Sequence, residues 1–415
     1  MQLKIKKKTL LFSLLLLCIS SFWGGNYLLS SLYVTDFMVT TSIAVSFIVF
    51  LSNKCRIKKS FYSLPIFLCL VMWISGIILA SRYSLPISVI LKESCYTIAP
   101  LMIYIAYRPL INGEDDIHSL FHGICISSVV CNVMAFVEMF FALNGTDLLK
   151  IDVFNKMRNG TPRFIFAETV MITGFFYSYA MILDKEAPRK NRKLFIFNIL
   201  ITMANLIFIV KTRSLLLYII ATVLMIPVLS DGISKKKRIA LITIILSLLS
   251  IIVLSDFLPS LNNLIESDSG VQMRISAISY YFDYFKHHWL FGAGYISSNS
   301  LFSTASIVSG PYGKYYTSDV GLIGLMFRSG IIGVLWLLSL FICNHKLIKR
   351  SKGRVPLYYD SLMKLMNVFL VFSCINLILT DTPRFPYIAL VMLIMESACL
   401  FEKERIREEQ TEAMN

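Results

Sequence analysis

The stretch Phe61–Ala80 reads FYSLPIFLCLVMWISGIILA, a run with no charged side chain. As an α-helix, a segment of about 20 residues rises roughly 30 Å, the thickness of a bilayer's hydrocarbon core. Lipid offers backbone N–H and C=O groups no hydrogen-bond partner, so a segment placed there must satisfy them itself, as a helix does. Comparable apolar runs recur from end to end, at 9–30, 33–51, 87–107, 119–142, 164–183, 194–210, 214–230, 239–258, 319–341, 365–380 and 386–401. The chain of 415 residues is 56% apolar and only 16% charged, which argues against a set of soluble domains. The expected fold class is all-α: a polytopic transmembrane helical bundle with about twelve spans.

The net charge of +15 raises the question of nucleic acid, but the basic residues sit mostly in short runs between apolar segments. That is the pattern of cytoplasmic loops, not of a nucleic-acid surface. With the N-terminus inside, inner segments hold 27 of the 40 Lys and Arg and outer segments 11; Lys92 and Arg328 lie inside spans. The bias survives all the crossings, so span count and orientation support each other and both termini are expected in the cytoplasm. Met1–Leu17 resembles a signal peptide, with Lys4, Lys6, Lys7 and Lys8 before a Leu-rich run, but no small-residue cleavage site follows. It reads as an uncleaved first span. Residues 1–401 then form a single transmembrane domain, and 402–415 a charged cytoplasmic tail. The nine Cys fall in spans or inner loops, so neither a disulfide framework nor a zinc spacing is expected.

Two outer loops stand out, Asn144–Arg163 and Asp256–Thr317, and long loops usually carry function. Within the longer one, Ile275, Ile278, Phe282, Phe285 and Trp289 recur at helical spacing. They predict a helix over Gln272–Leu290 lying on the membrane surface, with Arg274, Tyr281 and His288 along the edge of the apolar stripe. Charges in or at the ends of spans are costly and are functional candidates by default. These are Arg163 and Glu168 at the end of the first outer loop, Arg213 in the tight turn Lys211-Thr212-Arg213-Ser214, Asp319 and Arg328 after the long loop, Lys92 with Glu93, and Asp381 with Arg384. Each has a plainer reading: Arg163 and Arg384 as snorkelling side chains, Lys92 and Glu93 as pairs to neighbouring spans, Arg328 as a partner of Glu168 or Asp319. An Arg suits a diphosphate because its planar fork donates two hydrogen bonds and keeps its charge. A carboxylate at the membrane surface can serve as a general base. Gly292-Ala293-Gly294 follows no phosphate-loop strand and is no nucleotide motif.

The segment Arg274…His287-His288-Trp289-Leu290-Phe291-Gly292-Ala293-Gly294-Tyr295, followed by Ser318-Asp319-Val320-Gly321 and on to Arg328-Ser329-Gly330-Ile331-Ile332-Gly333, resembles the bacterial O-antigen and capsule repeat-unit polymerases. Arg163-Phe164-Ile165-Phe166-Ala167-Glu168 is similar to that family's "RF…F-E-P" element, with Thr169 in place of the Pro, and Gly174 keeps an Arg-to-Gly spacing. In the second loop the same spacing from Arg274 reaches Phe285 instead of a Gly. Thr212-Arg213-Ser214 resembles the "SR" turn of the wider polymerase and ligase superfamily. The likeness covers topology along the whole chain and motifs in about a fifth of it.

The resemblance implies a metal-independent glycosyltransferase of the bacterial inner membrane, without cofactor, its active site on the periplasmic side and its large loop 256–317 periplasmic. The donor would be an oligosaccharide on undecaprenyl pyrophosphate, transferred en bloc to a lipid-linked repeat unit. Substrate would be bound by Arg163, Arg213, Arg274, His288 and Arg328, with Glu168 or Asp319 as catalytic carboxylate. The implied partners are the lipid bilayer, a chain-length regulator and a flippase, with no nucleic acid. Two other readings fit the architecture: an O-antigen ligase, in which a His usually stands near the Ser318-Asp319 position, and a lipid-linked oligosaccharide flippase, which would show two related halves.

Overall fold

A computed structural model of the chain describes residues 6–20, 34–149, 157–158, 161–164, 166–184, 191–229, 269–375 and 384–412; of 34–38, 157, 158, 161, 213, 227, 228, 269–271 and 402–412 it describes the backbone alone. The described elements are α1 (Lys7–Ile19), α2 (Val34–Ser52), α3 (Ser63–Ser81), α4 (Ile87–Tyr107), α5 (Glu114–Leu143), α6 (Glu168–Leu183), α7 (Arg192–Asn205, continued by a π-turn, Leu206–Val210), α8 (Arg213–Leu229), α9 (Ser269–His287), α10 (Ala305–Ser309), α11 (Gly321–Ser351), α12 (Leu357–Ser373) and α13 (Phe385–Glu412). A two-residue antiparallel ladder, Met157–Arg158 with Thr161–Pro162, is the one departure from an all-α chain among the described residues. The expected span 239–258 and the residue Asp381 lie outside the described residues. The expected charged tail continues α13 in helical conformation as far as Glu412.

Among the described residues, five helical segments are long and apolar enough to cross a membrane: Ser63–Ser81, Ile87–Leu110, Glu114–Leu143, Arg192–Val210 and Thr317–Ser351. Shorter apolar helices cover Val39–Ser52, Glu168–Leu183, Ser214–Ile226 and Phe385–Phe401. Burial sorts them. Phe385 to Met395 is buried residue after residue, as is most of α6, which marks α13 and α6 as central. The flanking helices expose large apolar side chains at helical spacing: Leu64, Phe67, Leu70, Ile74 and Ile78 on α3, Ile196, Phe197, Leu200 and Phe208 on α7, Leu335, Leu338 and Ile342 on α11. A water-soluble monomer rarely shows so much contiguous apolar surface, whereas a bundle solvated by lipid must.

Inside, polar side chains and small residues join helices that lipid gives little reason to associate. Ser128 of α5 donates to Asn198 of α7 (2.9 Å), Asn198 to Ser178 of α6 (3.0 Å), and Asn132 to Thr202 (2.8 Å). Gly174 makes room for this: a Cβ there would meet the Ser128 hydroxyl at 2.6 Å.

Among the described residues the helix ends fall into two sets. At one end Lys8 pairs with Asp116, Arg108 with Glu396 (3.2 Å), Tyr62 donates to Asn344 (2.6 Å), and Asp184 accepts from the Tyr358 N–H (3.0 Å), capping α12. The other end gathers the starts of α4, α6, α8, α11 and α13 and the finishes of α3, α5, α7 and α12, with the described part of the long loop laid over α3, α4 and α11.

That loop docks through backbone. Gly330 interrupts α11 at φ +61°, ψ −152°, a conformation open essentially to glycine. The break frees peptide groups that a continuous helix would have paired, and the loop pairs them. Ala293 N–H donates to Phe327 C=O (2.7 Å), Gly294 N–H to Arg328 C=O (2.9 Å), and Ile331 N–H to Trp289 C=O (2.8 Å). The contact is backbone on backbone: a Cβ at Gly330 would lie 2.5 Å from the Phe291 nitrogen, and one at Gly292 2.7 Å from the Ser329 nitrogen. Gly292-Ala293-Gly294 is therefore a docking element, and the expected continuous span 319–341 is a broken one whose exposed backbone is covered by protein.

Candidate functional site

Among the described residues, three groupings of charged side chains stand at the loop-bearing end. In the first, Arg163 donates from Nε to Val210 C=O (2.9 Å) and from an Nη to the Thr212 hydroxyl (2.8 Å), while Lys211 reaches Pro162 C=O (3.3 Å). The π-turn and the left-handed Lys211 (φ +51°) close α7, and Arg163 bonds the carbonyl left at that end. Arg163 thus fixes the turn from which α8 starts instead of snorkelling. Arg213 is the first residue of α8; its side chain lies outside the described residues.

In the second, Glu168 at the start of α6 faces Arg384, which precedes α13, at 3.5 Å, with both side chains withdrawn from solvent. They line a small cavity of about 10 Å³ with Thr169, Ile172, Phe369, Ser373 and Tyr387, room for about one water molecule. Arg384 is thereby a structural ion partner of Glu168.

The third corrects an expected pairing. Arg328 pairs with Glu93 of α4 at 3.4 Å, not with Glu168 or Asp319, and its Nε faces the Thr317 hydroxyl at 3.4 Å. Glu93 also accepts from the Ser297 hydroxyl (3.2 Å), so α4, the docked loop and α11 meet at one carboxylate. Both partners are about one-fifth exposed, so the grouping sits at a boundary that solvent reaches.

Asp319 lies in the 3₁₀ turn Thr317–Val320, exposed, on the approach to α11. It and Arg328 both act on the phenol of Tyr281. Burial pushes that phenol up, the Arg328 guanidinium draws it down, and the Asp319 carboxylate raises it. Asp319 follows by two residues the Thr317 hydroxyl that faces Arg328.

Helix α9 forms where its periodicity predicts, and its faces divide in three. Ala277 and Tyr281 are buried towards α11, whereas Ile275, Ile278, Phe282 and Trp289 are exposed, so the apolar stripe looks away from the protein. The expected edge row splits accordingly. Tyr281 turns inward and donates to Val308 C=O (2.5 Å), His288 is exposed and stacks on Tyr284 at 4.3 Å, and Arg274 is exposed.

The structure thus sets Asp319 two residues after the Thr317 hydroxyl that faces Arg328, and holds Glu168 against Arg384. Sequence reading passed over Ser297 and Thr317, neutral side chains in a polar loop with no periodic signal. It also passed over the break at Gly330, for which the Ser329-Gly330 pair was the available sign. No protein-family model matches the chain, and no curated protein sequence does. Fold and site together define an all-helical protein with helices fit to cross a membrane and a charged, loop-covered end.

Proposed function

We propose that the chain is a surface-polysaccharide polymerase of the O-antigen type, a glycosyltransferase acting at the periplasmic face of the bacterial inner membrane. The observation that carries the reading is the gathering at one end of the bundle of the turn that Arg163 holds, from which α8 starts at Arg213, and the Arg328–Glu93–Ser297 junction of the long loop. A helix start that opens with an arginine, where backbone N–H groups carry partial positive charge, suits a lipid-linked diphosphate. The charge bias of the loops puts this end of the bundle outside, with twelve spans and both termini in the cytoplasm.

In the proposed reaction, a hydroxyl oxygen of the acceptor repeat unit attacks the anomeric carbon of the donor glycan. The bond from that carbon to the phosphate oxygen breaks, and undecaprenyl pyrophosphate leaves with the electron pair. Asp319, exposed at the mouth of the third grouping, takes the hydroxyl proton. Arg213 and Arg274 stabilise the charge that develops on the leaving diphosphate. Arg163 holds the α7–α8 turn that presents Arg213, and Glu168 holds Arg384 at the adjoining helix starts. Arg328 and His288 complete the polar wall towards the loop.

Complementation of a deletion strain tests the reading. With the wild-type chain, a gel of surface polysaccharide carries a ladder; Arg213→Ala and Arg274→Ala should leave core capped by one repeat unit. Uncapped core with polymer retained on its lipid carrier would assign a ligase, and uncapped core with repeat units facing the cytoplasm a flippase. Long polymer from either variant, or reporter fusions placing 256–317 in the cytosol, would overturn the assignment.

A further inference from the structure

Along α9 lies an open groove of about 500 Å³ lined by Ser276, Ser279, Asp283 and Lys286, by the tyrosines Tyr280, Tyr312 and Tyr315, and by Phe282 and Pro311. Its size is in the range of small-molecule sites, yet its lining is chiefly hydroxyl, carboxylate, ammonium and tyrosine.

The groove is built beforehand. Tyr280 donates to Ile307 C=O (3.0 Å) and Tyr281 to Val308 C=O (2.5 Å), so two successive phenols staple the loop to α9. The turn carrying Tyr312 is closed by Gly313 N–H to Gly310 C=O (3.0 Å) and Tyr315 N–H to Ser309 C=O (3.0 Å). The Tyr315 ring packs on Tyr280 (5.6 Å between centroids) and is met by Tyr312 edge-on (6.2 Å, 70°). That leaves Tyr312 69% exposed, a large aromatic side chain held out over a polar groove. Opposite it, Asp283 and Lys286 face each other at 3.4 Å.

We infer that this groove binds a carbohydrate chain, the acceptor glycan of the proposed reaction. A sugar ring presents polarised C–H groups on one face and hydroxyls around its rim. The negative face of a tyrosine ring attracts the first, while serine hydroxyls, a carboxylate and an ammonium exchange hydrogen bonds with the second. Tyrosine gives such contact area at little cost in side-chain entropy. Position agrees: Tyr315 of the groove lining is two residues before Thr317, whose hydroxyl faces Arg328, and four before Asp319. A glycan in the groove would direct its end to the proposed base. The choice of acceptor rests on the polymerase reading; the groove rests on its own geometry.

The test uses the full chain in lipid nanodiscs and, as probe, oligosaccharide released by mild acid from the host strain's own surface polysaccharide, which carries neither lipid nor diphosphate. Binding is read by saturation-transfer NMR and titration for wild type, Tyr312→Ala, Tyr312→Phe and Asp283→Asn. Tyr312→Ala should weaken binding at least tenfold, Tyr312→Phe less than threefold because the ring face is kept, and Asp283→Asn several-fold. Equal binding by wild type and Tyr312→Ala, or no binding by wild type, overturns the groove. Because the probe lacks the diphosphate, the two proposals fail separately. Binding that depends on Tyr312 would stand even if Arg213→Ala still polymerised, and loss of polymer in Arg213→Ala would stand even if Tyr312→Ala bound normally.

Discussion

Gly330→Ala tests how the broken helix and the docked loop depend on each other. The substitution meets two penalties. A non-glycine residue at φ +61°, ψ −152° costs about 1–3 kcal/mol in backbone strain. The new Cβ would also lie 2.5 Å from the Phe291 nitrogen, a backbone atom with no rotamer to change. Relief requires the loop to move off α11, which sacrifices the three hydrogen bonds from Ala293, Gly294 and Ile331. At about 1 kcal/mol net each, these amount to roughly 3 kcal/mol beyond the strain. Gly313 supplies the control. Its φ of +67° would strain an alanine too, but nothing lies within 4 Å of the added Cβ. Gly330→Ala should therefore lose about 3 kcal/mol more than Gly313→Ala, a gap of roughly 5 °C in a chain of this size. Fluorescence-detected size exclusion after heating, in one detergent, measures it. Gly330→Ala should also make little polymer, because Arg328 and Thr317 are placed by the same docking. Equal melting of the two variants would refute the idea that loop backbone completes the broken helix.

Arg384→Ala and Glu168→Ala should each cost about 3–5 kcal/mol, because either strands a buried charge, and a double replacement should cost less than the sum of the two; additive losses in a thermal double-mutant cycle would argue against the pair. Arg163→Ala should abolish long polymer by releasing the α7–α8 turn, and Arg163→Lys, which lacks the fork that bonds Val210 and Thr212 together, should restore only part of it on the same gel. Asn198→Ala should destabilise by about 1–2 kcal/mol through the loss of its bonds to Ser128 and Ser178, read as a lower melting temperature. The buried Tyr281 phenol, raised above its ordinary 10.0, contributes stability that is intact below pH 10 and declines as pH rises through the raised value. The melting temperature should fall more steeply above pH 10 in wild type than in Tyr281→Phe, and equal pH profiles would argue against this role.

Sequence by itself determined where helices form and which side chains were worth suspecting. Both are local matters: apolar length is set by the thickness of lipid, and a charge within an apolar run is expensive wherever the run ends up. So α3, α4 and α9 stand within a few residues of where their patterns put them, and Glu168, Arg163 and Arg328 were visible as candidates. Tertiary structure decided partners and faces. That Arg328 takes Glu93, 235 residues away, and not Asp319 nine residues away, follows from which helices are neighbours, and continuous apolar spans carry little information about that. The stripe of α9 was legible, but not that Tyr281 at its edge would turn into the protein, because periodicity gives a helix its faces without saying what each will meet. The break at Gly330 belongs to the same class: a gap in a helix is tolerable in lipid only when another piece of backbone fills it, and that piece is Trp289–Gly294, earlier in the chain than the residues it pairs.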